Sequence, residues 1–167
     1  DEFDYDGAVD SDKWHHQIIP IIGNSWANGE VQHYTNRKDN SYVSDGTLKI
    51  VAKKEQYNFE GNTKSYTSAR LNTKYAFQYG RIDIRAKLPA EQGTWPAFWT
   101  LGANINERGN YHGSTYGSVG WPACGEIDIM EQNGSDKNNL IGHLHWGDTQ
   151  TKAYKNQGRT KRVQNTA

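Results

Sequence analysis

The chain has 167 residues, which is enough for one domain with a hydrophobic core and too few for two domains of ordinary size. Its 19 basic and 19 acidic residues balance, so no net field attracts nucleic acid or an anionic membrane surface, and we expect neither as a partner. The single cysteine, Cys124, excludes an intrachain disulfide framework and a cysteine-based zinc site.

Aromatic residues are frequent although hydrophobic residues make up only 34% of the chain. There are six Trp, ten Tyr and 17 Gly, whereas disordered chains are poor in aromatic residues. Sugar rings bind such surfaces, because their C–H faces stack on indoles while neighbouring amides and carboxylates take the hydroxyls. The composition therefore indicates an all-β domain with a polar groove lined by aromatic rings.

Alternating apolar residues predict strands along the chain, and no segment sustains a helical period. The turn signal Asp45-Gly46 precedes the first clear strand. The predicted strands are, in chain order, Thr47–Lys53, Tyr66–Thr73, Gly80–Leu88, Trp95–Leu101 (predicted to be buried on both faces), Glu126–Glu131 and Leu140–Trp146.

The remaining segments complete the prediction of an antiparallel sandwich or barrel. The long loop from Gly102 to Gly125 is of a length that is usually functional. Thr151–Ala167 is polar and basic and predicts no core strand. Among the tryptophans, we expect Trp14 and Trp146 in the core.

Three carboxylates mark the strand that begins at Glu126. Strict alternation places Glu126 and Asp128 on one face, with Ile127 and Ile129 packing on the other, and would bury Glu131. A one-residue β-bulge near Met130 returns Glu131 to the acidic face, and bulges are frequent beside active sites. We therefore predict a bulged strand that presents Glu126, Asp128 and Glu131 together.

Crowded carboxylates repel one another, so one of them should hold its proton to a higher pH while the others stay ionised. An acid and a nucleophile of this kind cleave glycosidic bonds with retention when about 5–5.5 Å separates the two carboxyl groups. We expect Asp128 to hydrogen-bond Glu126. The alternatives are the solvent face of an edge strand, in which charges discourage aggregation, and a calcium site.

The hexad Glu126-Ile127-Asp128-Ile129-Met130-Glu131 resembles the catalytic signature of glycoside hydrolase family 16. The extra Met resembles the bulged form found in the laminarinase, or endo-β-1,3-glucanase, branch. The similarity covers nearly the whole chain. The other segments that carry it are Asp1-Glu2-Phe3-Asp4, Trp26–Thr35, Tyr66–Leu71, Trp95–Gly102 and Gly120-Trp121-Pro122.

The resemblance implies a concanavalin-like jelly-roll of two curved antiparallel sheets with a cleft across the concave face. It implies that Glu126 is the nucleophile, Asp128 its partner and Glu131 the acid/base. No cofactor is implied for catalysis, but a structural calcium site is, with Glu2 and the Gly46 carbonyl as ligands. The implied substrate-binding residues are Trp95, Trp99 and Trp121 for stacking, Asn28, Glu30 and Arg70 for hydroxyl groups, and His145 near the acid/base.

Two of these residues keep an alternative interpretation. Arg70 alternates with polar neighbours and could be an ordinary solvent-face residue. His143 and His145 lie two apart on one face, a spacing that suits a metal on a strand, but no third ligand is evident, so cleft lining is the preferred interpretation. Asn133-Gly134 is read as the turn that ends the acidic strand.

The length predicts that residues 1–167 are the N-terminal portion of a longer catalytic domain, since a full jelly-roll needs roughly 200–250 residues. Such a portion lacks C-terminal strands and would expose edges that pair with the missing C-terminal segment or with another copy. We expect a secreted or outer-surface bacterial protein.

The expected function is endo-acting, retaining hydrolysis of β-1,3-glucan such as laminarin. Mixed-linkage β-1,3-1,4-glucan and marine galactans such as agar are the alternative substrates of an enzyme of this family. A non-catalytic β-glucan-binding module and a structural sandwich whose acids hold calcium are the other classes.

Overall fold

A computed structural model describes residues 1–164 and is nearly all-β, which confirms the predicted fold class. Two single 3-10 turns, Ala27–Gly29 and Gly134–Asp136, are the helical segments of this part of the chain. Neither has the length or the apolar character needed to cross a bilayer. The strands are β1 Trp14–His16, β2 His33–Tyr34, β3 Ser41–Ser44, β4 Thr47–Ile50, β5 Lys53–Phe59, β6 Asn62–Ser68, β7 Leu71–Thr73, β8 Ala97–Leu101, β9 Glu126–Gln132, β10 Asn139–Gly147 and β11 Tyr154–Arg162.

The residues form two compact units. The first contains Asp1–Phe77 and Glu107–Gly113, and therefore β1 to β7. The second contains Gln78–Asn106 and the residues from Ser114 onward, and therefore β8 to β11. Each unit builds its own sheets.

The first unit holds three small sheets: β1 with β7, β3 with β4, and β2-β6-β5, in which β2 and β6 run parallel. The predicted turn at Asp45-Gly46 joins β3 to β4, and both residues have positive φ, at 52° and 66°. Two positive φ values make the type I′ turn, whose twist matches that of the strands it joins. Glu60-Gly61 joins β5 to β6 with the same kind of turn. The sequence did not predict this turn, because Glu at the first position is not a residue typical of it.

A small apolar core with a buried polar network fills the first unit. Trp26 and Val43 are buried, together with the side chain of Asn40, which donates to the Val51 carbonyl at 3.0 Å. The prediction of Trp14 and Trp146 as core residues is wrong. Trp14 is half-buried and donates its indole N–H to Asp1, whereas Trp146 of the second unit is exposed.

One antiparallel sheet, in the order β11-β10-β9-β8, forms the centre of the second unit. Its register confirms the predicted bulge: Phe98 lies opposite Met130, but the next residue of β8, Trp99, lies opposite Asp128. Ile129 is therefore the extra residue of β9. Because Ala97 and Trp99 share a face of β8 and lie opposite Glu131 and Asp128, those two carboxylates also share a face.

The opposite face of this sheet is more accessible than predicted. Ile127 lies directly opposite Leu144, and their exposed fractions are 51% and 44%. The predicted core packing of Ile127 and Ile129 is thus wrong for residues 1–164, because within them this face keeps contact with solvent. A strand pattern fixes which side chains share a face, but it does not supply the layer that covers them.

Other strand predictions differ in their bounds. The segment Gly80–Leu88 has no ladder partner among the described residues and forms no strand, although its apolar residues alternate. Pro96 cannot donate to a ladder, so β8 begins only at Ala97, and it is half-buried rather than buried on both faces. The predicted strand Thr47–Lys53 ends at Ile50, and Tyr66–Thr73 is divided between the end of β6 and β7.

The final segment forms a strand that was not predicted, although it is not a core strand. β11 pairs with β10 along nine residues, although every one of its side chains is exposed. Backbone hydrogen bonds form the ladder, so a polar strand leaves no apolar alternation in the sequence. The end of that segment, residues 165–167, lies outside the described residues.

Candidate active site

The three carboxylates of β9 lie at different depths on one face of the sheet. Asp128 is buried, with 6% of its surface exposed, while Glu126 and Glu131 are half-buried. Asp128 shares a side-chain hydrogen bond with Glu126. This is the contact that the sequence predicts for Asp128.

The environment keeps a proton on Asp128. Burial, followed by the negative charges of Glu126 and Glu131, raises the pKa of Asp128 to about 7. A protonated Asp128 donates its O–H to the Glu126 carboxylate. Crowding thus raises the pKa of one of the three carboxyl groups, as predicted, and that group is Asp128.

Two indole N–H groups hold the outer glutamates. Trp95 Nε1 donates to Glu131 Oε1 at 2.8 Å, and Trp121 Nε1 donates to Glu126 Oε2 at 2.8 Å. The two tryptophans are 55% and 50% exposed, so their ring faces remain accessible for stacking. The sequence predicted stacking for both, but it carried no signal for these hydrogen bonds, because each indole comes from a segment outside the regular strands.

His145 lies beside the buried acid. Its Nε2 is 3.1 Å from Asp128 Oδ2, and its backbone lies opposite Glu126 in the β9–β10 register. Trp121 is tilted against the ring, with centroids 5.8 Å apart. Trp99, half-buried, lies directly opposite Asp128 on β8. The structure therefore brings four predicted binding residues, Trp95, Trp99, Trp121 and His145, to the acids.

Tyr154, at the start of β11, is a member of this cluster that sequence analysis missed. Its Oη is 2.7 Å from His145 Nδ1, and its ring stacks on His145 with centroids 5.9 Å apart and planes at 8°. The Tyr154 ring also lies 5.2 Å from that of Trp121. Tyr154 falls in the segment predicted to lack a core strand, so no pattern pointed to it.

Glu126, Asp128 and His145 are the group of the described chain that could hold a metal ion, with ligand atoms within 4.8 Å of one another. This differs from the considered pair of His143 and His145, since His143 is not a member. The atoms that would bind a metal already have partners: His145 contacts Asp128, and Glu126 accepts a hydrogen bond from Trp121. The cluster is therefore complete as a hydrogen-bonded network.

The residues of the implied calcium site lie in the first unit. The Gly46 turn lines a polar pocket with Asp4, Tyr5, Asp6 and Asp45. Glu2 is not among the lining residues, and its exposed carboxylate lies 3.8 Å from the N-terminal ammonium. A calcium site with Glu2 and Gly46 as ligands stays a prediction.

The three predicted hydroxyl binders also belong to the first unit. Glu30 accepts from Tyr34 Oη at 2.6 Å and from Gln32 Nε2 at 2.6 Å. Asn28, with φ at 58°, occupies the turn Ala27–Gly29 just before it.

Arg70 is not an ordinary solvent-face residue. Its guanidinium pairs with Glu107 at 3.3 Å, and the exposed fractions of the two side chains are 11% and 12%. It also lies over the Trp26 ring, 5.4 Å from the centroid. Burial in an ion pair removes the alternative interpretation of Arg70.

Two solved structures and one curated beta-glucanase are among the proteins to which the chain is similar. A LamA variant from Zobellia galactanivorans, solved in complex with laminaritriose and laminaritetraose, has a TM-score of 0.97 and 61% identity, covering 99% of this chain and 66% of that one. The laminarinase catalytic domain from Thermotoga maritima has a TM-score of 0.78 and 40% identity, covering 100% and 62%. A beta-glucanase from Rhodothermus marinus is 45% identical over 157 residues, 92% of this chain and 48% of its own length.

The chain thus spans about half the length of the Rhodothermus protein and about two thirds of the two solved chains. Residues 27–166 match the family described as glycosyl hydrolases family 16, which is most of the chain. The predicted jelly-roll agrees with this match and with the solved structures. The chain belongs to glycosyl hydrolase family 16.

Proposed function

We propose that this protein is an endo-acting, retaining glycoside hydrolase that cleaves β-1,3-glucan of the laminarin type. One observation carries the proposal: Glu126 and Glu131 lie on one face of the bulged strand, each held by an indole N–H, with the buried Asp128 between them. The laminarinase from Thermotoga maritima and the laminari-oligosaccharides bound to LamA support the substrate class. The chemistry needs no cofactor, since two carboxyl groups supply it.

The proposed reaction is a double displacement. Protonated Glu131 gives its proton to the glycosidic oxygen while the Glu126 carboxylate attacks the anomeric carbon, so the C–O bond to the leaving sugar breaks as the ester to Glu126 forms. Glu131, now ionised, then removes a proton from water, and the water oxygen displaces Glu126. The product keeps the β configuration, and both glutamates return to their starting protonation states.

Asp128 and Trp121 act on the nucleophile. Each places a hydrogen-bond donor on Glu126, which stabilises the carboxylate when it leaves the sugar in the second step. The half-exposed rings of Trp95 and Trp121, with Trp99, supply stacking surfaces for glucose rings. Asn28, Glu30 and Arg70 are proposed as hydroxyl-binding residues of the first unit.

Since a glucan polymer does not cross a membrane unaided, we also propose a secreted or outer-surface location.

The proposal is tested by incubating the protein with laminarin, mixed-linkage β-1,3-1,4-glucan and agarose. Reducing ends measure cleavage, and proton NMR of the first products gives their anomeric configuration. Oligosaccharides released from laminarin with the β-anomer formed first are expected. Preferential release from one of the other two polymers would identify that polymer as the substrate instead of laminarin. Formation of the α-anomer first would refute the assigned pair of glutamates.

The matched control is Glu126→Ser, which keeps a small polar group but removes the nucleophile. It should lose turnover and still bind laminari-oligosaccharides. Binding by the unaltered protein without turnover on any polymer would favour a glucan-binding module over an enzyme.

A further inference from the structure

Tyr154 ends a chain of hydrogen bonds that reaches Glu126. Tyr154 Oη lies 2.7 Å from His145 Nδ1, and His145 Nε2 lies 3.1 Å from Asp128 Oδ2. Asp128 in turn shares a hydrogen bond with Glu126. Four side chains from three neighbouring strands, β9, β10 and β11, are thus connected in series.

With a neutral imidazole, this series of hydrogen bonds can be completed in only one direction of donation. If Tyr154 donates to Nδ1, then Nε2 carries the hydrogen and donates to Asp128 Oδ2, and the other oxygen of Asp128 is left to donate its proton to Glu126. In the opposite polarity Nδ1 donates to Tyr154, so Nε2 must accept the Asp128 proton. Asp128 and Glu126 would then face each other as two acceptors.

The side chains packed around His145 hold its ring in place. Its titratable and aromatic neighbours are Asp128 on β9, Tyr154 on β11, Trp121, and His143, whose ring stacks on it with centroids 4.2 Å apart. His143 makes its own hydrogen bond to Asn156 at 3.1 Å and does not compete for Tyr154. The phenol hydroxyl therefore faces Nδ1 directly, and the partner of one ring nitrogen decides which nitrogen carries the hydrogen.

We propose that Tyr154 is a positioning residue: it selects the Nε2–H form of His145 and thereby directs the Asp128 proton to Glu126. The proposal rests on the proposed function, because it assigns Glu126 the role of nucleophile. Tyr154 does not touch the reacting atoms in this scheme. It acts through His145 and Asp128 on the carboxylate that must leave the sugar in the second step.

The first test is the nitrogen NMR spectrum of His145 in the unaltered protein, assigned by the loss of its signals in His145→Gln. At pH 6.5, below the pKa of about 7 of Asp128, Nδ1 should show the shift of an unprotonated ring nitrogen and Nε2 that of a protonated one. The reverse pattern would overturn the proposal. This measurement needs neither turnover nor a tyrosine variant that folds.

The second test is Tyr154→Phe, which removes the hydroxyl and keeps the ring that stacks on His145 and lies tilted against Trp121. His145 should become a mixture of both neutral forms, and kcat on laminari-oligosaccharides should fall about tenfold, as for the loss of one hydrogen bond, with KM within about twofold. Unchanged kcat together with an unchanged His145 spectrum would refute the role. The control is Tyr79→Phe, at an exposed tyrosine of the same unit, for which both readouts should stay at the starting values.

The proposed function and the role of Tyr154 can be refuted independently of each other. A protein that cleaves no glucan but shows the expected nitrogen shifts would contradict the proposed function and support the hydrogen-bond polarity. A protein that cleaves laminarin with retention but carries the hydrogen on Nδ1 would support the proposed function and contradict the role of Tyr154.

Discussion

Trp121 Nε1 donates a 2.8 Å hydrogen bond to Glu126 Oε2, and the same ring is half exposed to solvent. The side chain can therefore perform two tasks at once: its N–H stabilises a carboxylate while its face remains free for a sugar. Trp95 stands in the same relationship to Glu131. Each glutamate thus has its own aromatic neighbour, and under the proposed function this would couple the position of the substrate to the position of the acid.

Replacing Trp121 by Phe separates the two tasks. Phe keeps an aromatic face but loses the N–H donor, so we expect kcat to fall by roughly 10- to 100-fold with a small change in KM, since a hydrogen bond to a charged group contributes about 1.5–3 kcal/mol. Trp121→Ala should lower kcat similarly and also raise KM, because the stacking face is lost. Steady-state kinetics on laminari-oligosaccharides measure both. Equal KM values for the Phe and Ala variants would show that the ring does not bind sugar.

Glu131→Gln tests the acid/base. Gln cannot protonate the leaving oxygen, so turnover of laminarin should fall by about 10²–10⁴. A laminaribioside with a dinitrophenyl leaving group needs no proton in the first step, and its first turnover should be close to that of the unaltered protein. A rapid burst of dinitrophenol followed by slow release is the expected trace. If the burst is as slow as laminarin hydrolysis, Glu131 is not the acid.

The acidic face of β9 could be predicted because it depends on local rules. Side chains alternate along a strand, and a carboxylate at Glu131 is costly in a core, so the bulge follows from sequence alone. The turn at Asp45-Gly46 was predictable for the same reason, since it reflects the backbone preference of two residues.

Features that depend on distant partners could not be predicted. Gly80–Leu88 has the alternation of a strand but lacks a ladder partner among residues 1–164, whereas polar β11 has a partner and forms one. The indole contacts to Glu126 and Glu131, and the contact between Tyr154 and His145, join segments that no spacing rule relates. Arg70 was identified through resemblance, but its burial against Glu107 became clear only in the structure.

The ion pair of Arg70 and Glu107 gives a prediction on stability. Arg70→Met leaves a nearly buried carboxylate with the Gln17 amide as a donor but without the positive charge of Arg70, so the free energy of unfolding should fall by about 3–5 kcal/mol. The double variant Arg70→Met, Glu107→Leu removes both charges and should recover most of that loss. Urea unfolding of the three proteins at pH 7 measures the effect. A double variant no more stable than Arg70→Met would show that the pair is not the source of the loss.

Asp128 should make the protein less stable as pH rises. Its pKa is raised from 3.8 to about 7 in the folded chain by burial and by the charges of Glu126 and Glu131. The folded state therefore binds the proton more tightly than the unfolded state does. The stability that this proton contributes is complete below pH 3.8 and is lost as the pH rises through about 7.

Asp128→Asn removes this titration and keeps a similar shape, with an amide that can donate to Glu126 and accept from His145. We expect the variant to gain stability over the unaltered protein between pH 4 and pH 7, by roughly 4 kcal/mol at the upper end, while kcat falls because the donor is no longer an acid. Urea unfolding at pH 4.5, 6 and 8 gives the difference. Asp83→Asn, at an exposed carboxylate, should change the free energy of unfolding by less than about 0.5 kcal/mol. A stability difference for Asp128→Asn that is the same at all three pH values would mean that the buried aspartate does not hold its proton more tightly in the folded chain.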